Sequence, residues 1–488
     1  MKMKVKVVMR KLVKPCKPTP PHLGHYKISL LDQINPAVNH SRILYYSCND
    51  GKSKCVLLEE SMAQILSNFY PLAGRFNKEK QHVDCNDQGA LFSTAQVNAD
   101  LSLILTSHVD PQHQNHLLPV DASAADGPTH PILAVQINKF QCGGLAIAVC
   151  LSVVDSASFS SFLAAWATAA ETTGKLLIQP YFDHHSYFPA ENPPPHDDGP
   201  NENIIAERYD SKAIKKLRQR LTTSEPPLSR VVAISTFLVQ ALLRREPRAA
   251  LVGQLINIRE RTVPPVPKHA FGTWLSGSFL DIAAEDAEGG NFPALASRIR
   301  DCARVLGDKE FGRKLLVDNF LDASKKGETD DCKVIWCTDF SKFGDYELDF
   351  GFGKPDWVSV GVMPLMDYVI MLNNRSNDGI EAWVCLQECD MQFFRQDKEI
   401  LRLSAGKDVH TVREDGKGDP ATVCNVKLSS LDEQCVSAAC GAREKPINNL
   451  TRAELVNVPK VTTKVEDHPC IRRDVLIKGL KKKDVLQS

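Results

Sequence analysis

The sequence lacks an excess of charge of either sign, because 59 Lys and Arg residues are matched by 59 Asp and Glu residues. Proteins that gather a phosphate backbone or an anionic membrane surface usually present a basic field. The balance therefore argues against nucleic acid, or a membrane surface, as a partner of this chain.

Long apolar runs are also missing from the sequence. The longest candidate, residues 145–154, is too short to cross a bilayer and is typical of a buried strand. Residues 1–14 alternate Lys and Val and do not contain the continuous apolar core of a signal peptide. We therefore expect a soluble, cytoplasmic protein.

The cysteines show no pattern of pairing. They number 15, an odd count, and are scattered through apolar segments, which indicates reduced thiols. Cys385 and Cys389 form the closest pair, but no second Cys or His pair with zinc-site spacing accompanies them. The spacing therefore predicts no metal site.

The first half of the chain mixes strand and helix patterns, which predicts an α/β layer. Residues 43–47 are typical of a strand, and residues 57–68 repeat apolar side chains at helical spacing. Residues 143–154 predict a strand buried on both faces. Asp155 or Ser156 then caps a helix over about residues 159–172.

A proline-rich segment, residues 180–200, predicts a surface crossover between two halves. Helical periodicity resumes in residues 211–221 and 229–243. We therefore place two α/β domains of similar size at residues 1–200 and 201–405. Residues 406–488 contain no Phe, Trp or Tyr, which favours a disordered tail or a gene-model artefact over a regulatory appendage.

Several motifs, taken in order, resemble the plant BAHD acyltransferases and in particular their alkaloid-acylating branch. The resemblance spans about residues 11–405, and its specificity comes from the order of the motifs across both halves. The segments that carry it are Pro18-Thr-Pro-Pro21, Leu30-Leu-Asp-Gln33, Tyr70-Pro-Leu-Ala-Gly-Arg75, the strand at residues 143–154, Asn257-Ile-Arg259, Pro264-Pro265, Ala270-Phe-Gly-Thr-Trp274 and Asp349-Phe-Gly-Phe-Gly353-Lys-Pro.

The resemblance implies a fold, a reaction and a set of partners. The fold would be two similar-sized α/β domains like chloramphenicol acetyltransferase, with a channel between them, in a monomer. An acyl-coenzyme A co-substrate would enter from one face and a small-molecule acceptor from the other. No bound cofactor is implied.

The family's catalytic motif, His-x-x-x-Asp, is incomplete here. By spacing, Asp155 matches the aspartate and Leu151 occupies the position of the histidine. In the family that histidine takes the proton from the attacking hydroxyl or amine, which requires a group that titrates near neutrality. Leu151 cannot accept a proton, and none of residues 150, 152 and 153 is a histidine. Ser156 also replaces the usual glycine after the aspartate.

The resemblance assigns supporting roles to other residues. In the family the aspartate of the turn pairs with an arginine, for which Arg259 stands at the matching position, and we expect Asp155 and Arg259 to be structural. Asp349, Gly351 and Gly353 belong to a tight loop that supports the channel from a distance. In that loop Phe352 replaces the family's usual tryptophan.

Three functions remain open from the sequence. One is acyl transfer to an amine or hydroxyl of a plant specialised metabolite without the usual base, for which an amine is the easier acceptor. Another is a donor-independent cyclisation or isomerisation of an alkaloid intermediate, with Leu151 as a shape element of a dry pocket. The last is a catalytically inactive relative.

Removal of residues 406–488 should leave stability nearly unchanged, because a segment without aromatic side chains has little with which to build a core. The melting temperatures of the full chain and of a chain ending at Ala405 test this expectation. A large decrease in the truncated protein would show that the segment packs against the rest.

Overall fold

The computed structural model describes most of the first 403 residues. The described ranges are 3–34, 38–47, 51–106, 114–121, 129–172, 178–191, 204–222, 227–245, 247–262, 264–305, 322–323, 326, 332–361 and 367–403. The predicted tail and the second part of the predicted crossover lie outside these residues.

One six-stranded sheet is built mainly from the first half of the chain. Its strands are β1 (Val5–Val13), β3 (His40–Tyr46), β6 (Ala90–Val97), β7 (Leu133–Phe140), β8 (Leu145–Leu151) and β13 (Trp357–Ser359). Their spatial order is β1-β6-β7-β8-β3-β13, and only the β6–β7 pair is parallel. The predicted buried strand is β8, in which every residue is buried, as its unbroken apolar sequence requires.

A second six-stranded sheet is built from the second half, in the order β11-β10-β12-β14-β15-β9. Its strands are β9 (Ile204–Tyr209), β10 (Ala250–Asn257), β11 (Leu275–Ile282), β12 (Lys333–Asp339), β14 (Tyr368–Asn373) and β15 (Ile380–Cys385). A small antiparallel sheet has the order β2-β5-β4. It comprises β2 (His25–Lys27), β4 (Arg75–Asn77) and β5 (His82–Asp84). The sheets and helices confirm the predicted α/β class.

Helices cover the faces of the large sheets. In chain order they are α1 (Leu30–Ile34), α2 (Gly51–Leu66), α3 (Leu101–Thr106), α4 (Ser156–Glu171), α5 (His184–Tyr187), α6 (Ser211–Leu221), α7 (Arg230–Arg245), α8 (Ala284–Gly289), α9 (Phe292–Val305), α10 (Glu388–Gln396) and α11 (Lys398–Leu403). Among the described residues, none of the helices combines the length and apolarity needed to span a membrane.

Helix α4 carries the residues that follow the buried strand and packs against α2. The indole Nε1 of Trp166 donates to the carbonyl oxygen of Leu58 and to the hydroxyl of Ser61, each at 3.1 Å. The predicted helix over residues 159–172 begins three residues earlier, at Ser156, because Asp155 rather than a later residue provides the cap.

One strand from the second predicted half of the sequence lies in the sheet that the first half builds. Strand β13 belongs to the second half of the sequence but pairs antiparallel with β3 in the first sheet. The ring of Tyr45 stacks on Trp357 with centroids 5.0 Å apart, which ties this exchanged strand to the core. Residues 1–407 form one compact unit that contains both large sheets.

Candidate active site

The turn between β8 and α4 is held by the side chain of Asp155. This residue has an extended backbone (φ −84°, ψ 170°), and its Oδ1 atom accepts a hydrogen bond from the backbone N–H of Ser158 at 2.8 Å. One of the unpaired N–H groups of the helix N-terminus is thereby satisfied. Asp155 has no exposed surface, so its charge needs further partners.

Arg259 supplies the main partner through a bidentate ion pair. Its Nη1 lies 2.7 Å from Oδ2 of Asp155, and its Nη2 lies 2.9 Å from Oδ1. Arg259 lies two residues after the end of β10 in the second sheet and is also buried. The pair therefore joins the helix-capping turn of the first sheet to the segment after a strand of the second, and it is the pairing that the family resemblance implies.

The remaining donors of the Arg259 guanidinium are also used. They reach the carbonyl oxygens of Ala270 and Gly272, the hydroxyl of Ser158 and the side-chain oxygen of Asn257, at distances of 2.8–3.2 Å. A carboxylate and a guanidinium so fully bonded have no free group to offer a substrate. Their role here is structural.

The protonation state of Asp155 follows from these contacts. Burial alone would raise the pKa of this carboxyl group, but the Arg259 guanidinium and the N–H groups of Ser158 and Trp274 together hold the pKa below its ordinary value. Asp155 is therefore a carboxylate at neutral pH and does not act as a proton donor or as the missing base.

Leu151 does not lie on the turn. It is the last residue of β8, where it is opposite both His40 of β3 and Leu133 of β7, and its side chain is completely buried in the core. The predicted strand over residues 143–154 already included this residue, and the sheet pairing continues through residue 151.

Only three residues connect the strand to the helix cap, and one of them is strained. Val153 has a φ of 62°, a left-handed conformation that a β-branched residue rarely adopts. Such a conformation costs on the order of 1–3 kcal/mol and persists only where its surroundings enforce it. Here the backbone N–H of Ser152 is bound to the carbonyl oxygen of Ile132 at 3.0 Å, and Asp155 is fixed by Arg259. Both ends of the turn are therefore held in place.

His40 is a residue that the sequence analysis missed. Alternation along β3 places it on the same face as Arg42, whose guanidinium lies 5.6 Å from the ring centroid of Phe159 in α4. Its Nε2 atom is buried and has no hydrogen-bond partner among the described residues. Burial and the nearby Arg42 lower the pKa of His40 to about 4, although the Asp155 carboxylate acts in the opposite direction. Only the register of β3 against β8 reveals its place beside Leu151.

A buried Ser-His-Asp group lies nearby but has no access to substrate. Nε2 of His184 is 3.2 Å from Oγ of Ser29, and its Nδ1 is 3.1 Å from Oδ2 of Asp32. The Ser29 hydroxyl, however, also donates to Asp32, and all three side chains are buried. The Asp32 carboxylate accepts from the backbone N–H of Thr273 at 2.7 Å as well. We interpret this group as a structural link between α1, α5 and the segment before β11.

The loop that begins at Asp349 lies at the opposite end of α4. Oδ1 of Asp349 accepts from the backbone N–H groups of Gly351, Phe352 and Gly353 at 2.8–3.0 Å, and both glycines have positive φ. Phe350 packs edge-on against Trp166, five residues before the end of the helix at Glu171, with ring centroids 4.9 Å apart. A 16-residue helix is roughly 24 Å long, so this loop is remote from Asp155.

Comparison with known proteins places these features in context. A family model described as the Transferase family matches residues 3–401. A pelargonidin 3-O-(6-caffeoylglucoside) 5-O-(6-O-malonylglucoside) 4'''-malonyltransferase from Salvia splendens is 34% identical, and the alignment covers 82% of this chain and 99% of the relative. Stemmadenine O-acetyltransferase from Catharanthus roseus is 30% identical, with 80% and 96% covered.

Solved structures show the same similarity. Vinorine synthase superimposes with a TM-score of 0.73 at 30% identity, and the match covers 82% of this chain and 98% of that structure. The sequence of vinorine synthase from Rauvolfia serpentina is 32% identical over 414 residues. The TRI101 protein of F. sporotrichioides, solved with coenzyme A and T-2, matches at 17% identity with a TM-score of 0.60, which supports the fold alone.

Replacement of Arg259 by Ala should reduce the free energy of unfolding by about 3–5 kcal/mol, because Asp155 would remain as a buried, unpaired carboxylate. Chemical denaturation measures this loss. Arg375→Ala is the matched control, since Arg375 pairs with Asp356 at the surface, where such pairs contribute about 0–1 kcal/mol. Equal effects of the two substitutions would contradict the structural role of the buried pair.

The stability of the protein should fall as the pH decreases from about 6.5 toward 4, partly through His40. The pKa of His40 is lower in the folded protein than in the unfolded chain. As the pH falls, the unfolded state therefore binds a proton first and becomes more stable relative to the folded state. A His40→Gln variant should therefore lose less unfolding free energy between about pH 7 and pH 5 than the wild type. Parallel denaturation curves at the two pH values provide the comparison, and an identical pH dependence would show that His40 is not buried in the neutral form.

Proposed function

Because this chain belongs to the BAHD acyltransferase family, we propose that it transfers an acyl group from a coenzyme A thioester to an amine of a plant specialised metabolite, such as an alkaloid. The observation that carries the proposal is the intact Asp155–Arg259 pair at the turn, combined with the absence of an imidazole on that turn. The chain retains the ion pair that holds the turn but lacks the histidine that serves as the base in the family. The protein would work as a cytoplasmic monomer.

The nature of the partners is supported by the named relatives. Vinorine synthase and stemmadenine O-acetyltransferase represent the alkaloid-acylating branch, and the second name specifies transfer of an acetyl group to oxygen. TRI101 was solved with coenzyme A. We therefore take acyl-coenzyme A as a co-substrate and propose that this chain needs no bound cofactor.

The proposed reaction has a simple balance. The nitrogen lone pair of the acceptor attacks the thioester carbonyl carbon, the carbon–sulfur bond breaks, and the amine proton ends on the departing thiolate to give an amide and free coenzyme A. A neutral amine can attack before it loses its proton, whereas a hydroxyl needs a base during the attack. Loss of general-base assistance lowers the rate by about a hundredfold to ten-thousandfold. The missing base should therefore lower the acylation rate of a hydroxyl more than that of an amine.

Neither His40 nor His184 replaces the base. His40 has a buried Nε2 and a pKa of about 4, far below the value at which an imidazole is an effective base at neutral pH. His184 is bonded at both ring nitrogens. Positioning of the amine against the thioester must therefore supply most of the acceleration.

The two alternative functions stay open beside this proposal. Leu151 is completely buried, so its side chain presents no surface to a ligand in this structure. An intact Asp155–Arg259 pair without a base on the turn favours an inactive relative as the second candidate, because a fold can persist without its chemistry.

The native protein should acylate amines slowly and hydroxyls hardly at all. Leu151→His should raise O-acylation by about a hundredfold or more, because it supplies a general base at the motif position. The substitution completes a His-x-x-x-Asp motif that ends at Asp155 and leaves the length of the turn unchanged. Mass spectrometry of acylated product and free coenzyme A, with acetyl-coenzyme A and a library of amine- and hydroxyl-bearing alkaloids, gives the rates.

Two further variants and a reaction without acetyl-coenzyme A serve as controls for this experiment. Leu151→Asn, which adds a polar side chain without a base, and Ser152→His, which places the imidazole one residue away from the motif position, should add no activity. Product from Leu151→His alone would identify the native protein as an inactive relative. Product in the absence of acetyl-coenzyme A would contradict acyl transfer and support a rearrangement.

A further inference from the structure

The small sheet β2-β5-β4 carries a group of imidazole and carboxylate side chains on one face. His82 and Asp84 are two residues apart in the central strand β5, and alternation therefore places them on the same side. His25 of β2 is directly opposite Asp84 in the antiparallel register. The three side chains meet because of this pairing, although they come from distant parts of the sequence.

The potential ligand atoms of this group are close together. Nε2 of His82 lies 2.7 Å from Oδ1 of Asp84, and Nδ1 of His25 lies 3.2 Å from the same oxygen. All three atoms are within 4.8 Å of one another. The imidazole rings meet edge to face, with centroids 4.6 Å apart.

We propose that His25, His82 and Asp84 bind one zinc ion, with water completing a tetrahedral coordination. Zinc bonds to imidazole nitrogen and carboxylate oxygen are about 2.0–2.2 Å long, which places tetrahedral ligand atoms about 3.3 Å apart. The 3.2 Å separation between His25 and Asp84 is near that value, and the 2.7 Å separation between His82 and Asp84 would have to lengthen, which a side-chain rotation allows. A set of two imidazoles and one carboxylate, without thiolate, suits zinc better than calcium or magnesium.

A neighbouring residue fixes the carboxylate in the required orientation. Nδ2 of Asn77, in β4, donates to Oδ2 of Asp84 at 3.2 Å, which leaves Oδ1 directed at both imidazoles. Residues that orient ligands in this way are a regular part of metal sites. The side chain of His25 is 67% exposed and that of Asp84 is 32% exposed, so an ion and its water can reach the site from solvent.

The site would have a structural consequence outside the acyl-transfer chemistry. Strand β2 continues into Ser29 and α1, whose Asp32 is bound to the backbone N–H of Thr273 and to His184. An ion that joins β2 to β5 would therefore hold the start of this buried network in place. The cysteine and histidine spacing in the sequence gave no indication of a site, since its ligands converge only through strand pairing.

Calorimetric titration of the tag-free, chelator-treated full chain with zinc chloride tests the proposal. We expect one zinc ion per chain and a higher melting temperature in its presence. Binding should be lost in Asp84→Asn and in His25→Gln, and His25 is exposed enough that its replacement should not disturb folding. Asn77→Ala should weaken binding by about 10–100-fold. His116→Gln, at an exposed histidine elsewhere, is the matched control and should bind as the wild type does.

The alternative outcomes are distinct. Absence of zinc binding by the wild type would overturn the proposal and leave the group as a carboxylate hydrogen-bonded by two histidines. Unchanged binding in both Asp84→Asn and His25→Gln would also overturn it, because the ion would then be held elsewhere, for example by cysteines. Substitution with cobalt distinguishes that case, since its absorption spectrum differs between nitrogen–oxygen and thiolate ligands.

Discussion

The bidentate ion pair between Asp155 and Arg259 is the interaction on which the arrangement of the two large sheets depends. Both residues are buried, and removing two charges from water costs several kcal/mol for each ion before any contact is made. The cost is offset only because almost every donor and acceptor of the pair is used. Residues 270–274 contribute two carbonyl oxygens and one backbone N–H, so a segment of the second half is drawn against the cap of α4.

This pair also separates two roles that a catalytic motif usually combines. In a His-x-x-x-Asp motif the histidine handles the proton and the aspartate holds the turn in place. Here Asp155 holds the turn as the motif requires, but no residue on the turn can accept the proton. Retention of a costly buried charge pair is consistent with a structural demand that exists with or without the chemistry.

The sequence predicted the local elements around the site well, because their signals are local. The apolar run of β8, the Asp155 cap and the amphipathic face of α4 follow from periodicity and capping chemistry. Helix α6 has the bounds that its periodicity predicts. The placement of β13 in the first sheet, by contrast, depends on the pairing of three residues with a distant strand, and such pairing leaves no periodic signal.

The surroundings of the turn were also beyond sequence reasoning. His40 lies beside Leu151, and His25 beside Asp84, only because antiparallel register brings them there. Register is set by which faces are buried in the whole fold, and a single strand does not specify it. The position of Leu151 within a strand, by contrast, follows from the apolar run at residues 143–154.

The strain at Val153 connects these observations. One end of the turn is fixed where Ser152 is bonded to Ile132 next to the paired strand, and the other end is fixed where Arg259 holds Asp155. Three residues must bridge the two fixed points, and a β-branched residue takes a left-handed conformation to do so. Positions 151 and 155 nevertheless have the spacing that a His-x-x-x-Asp motif requires, so the length of the turn is retained and the missing base is a missing side chain. Strained backbone conformations are typical of active sites, where the surrounding structure enforces them.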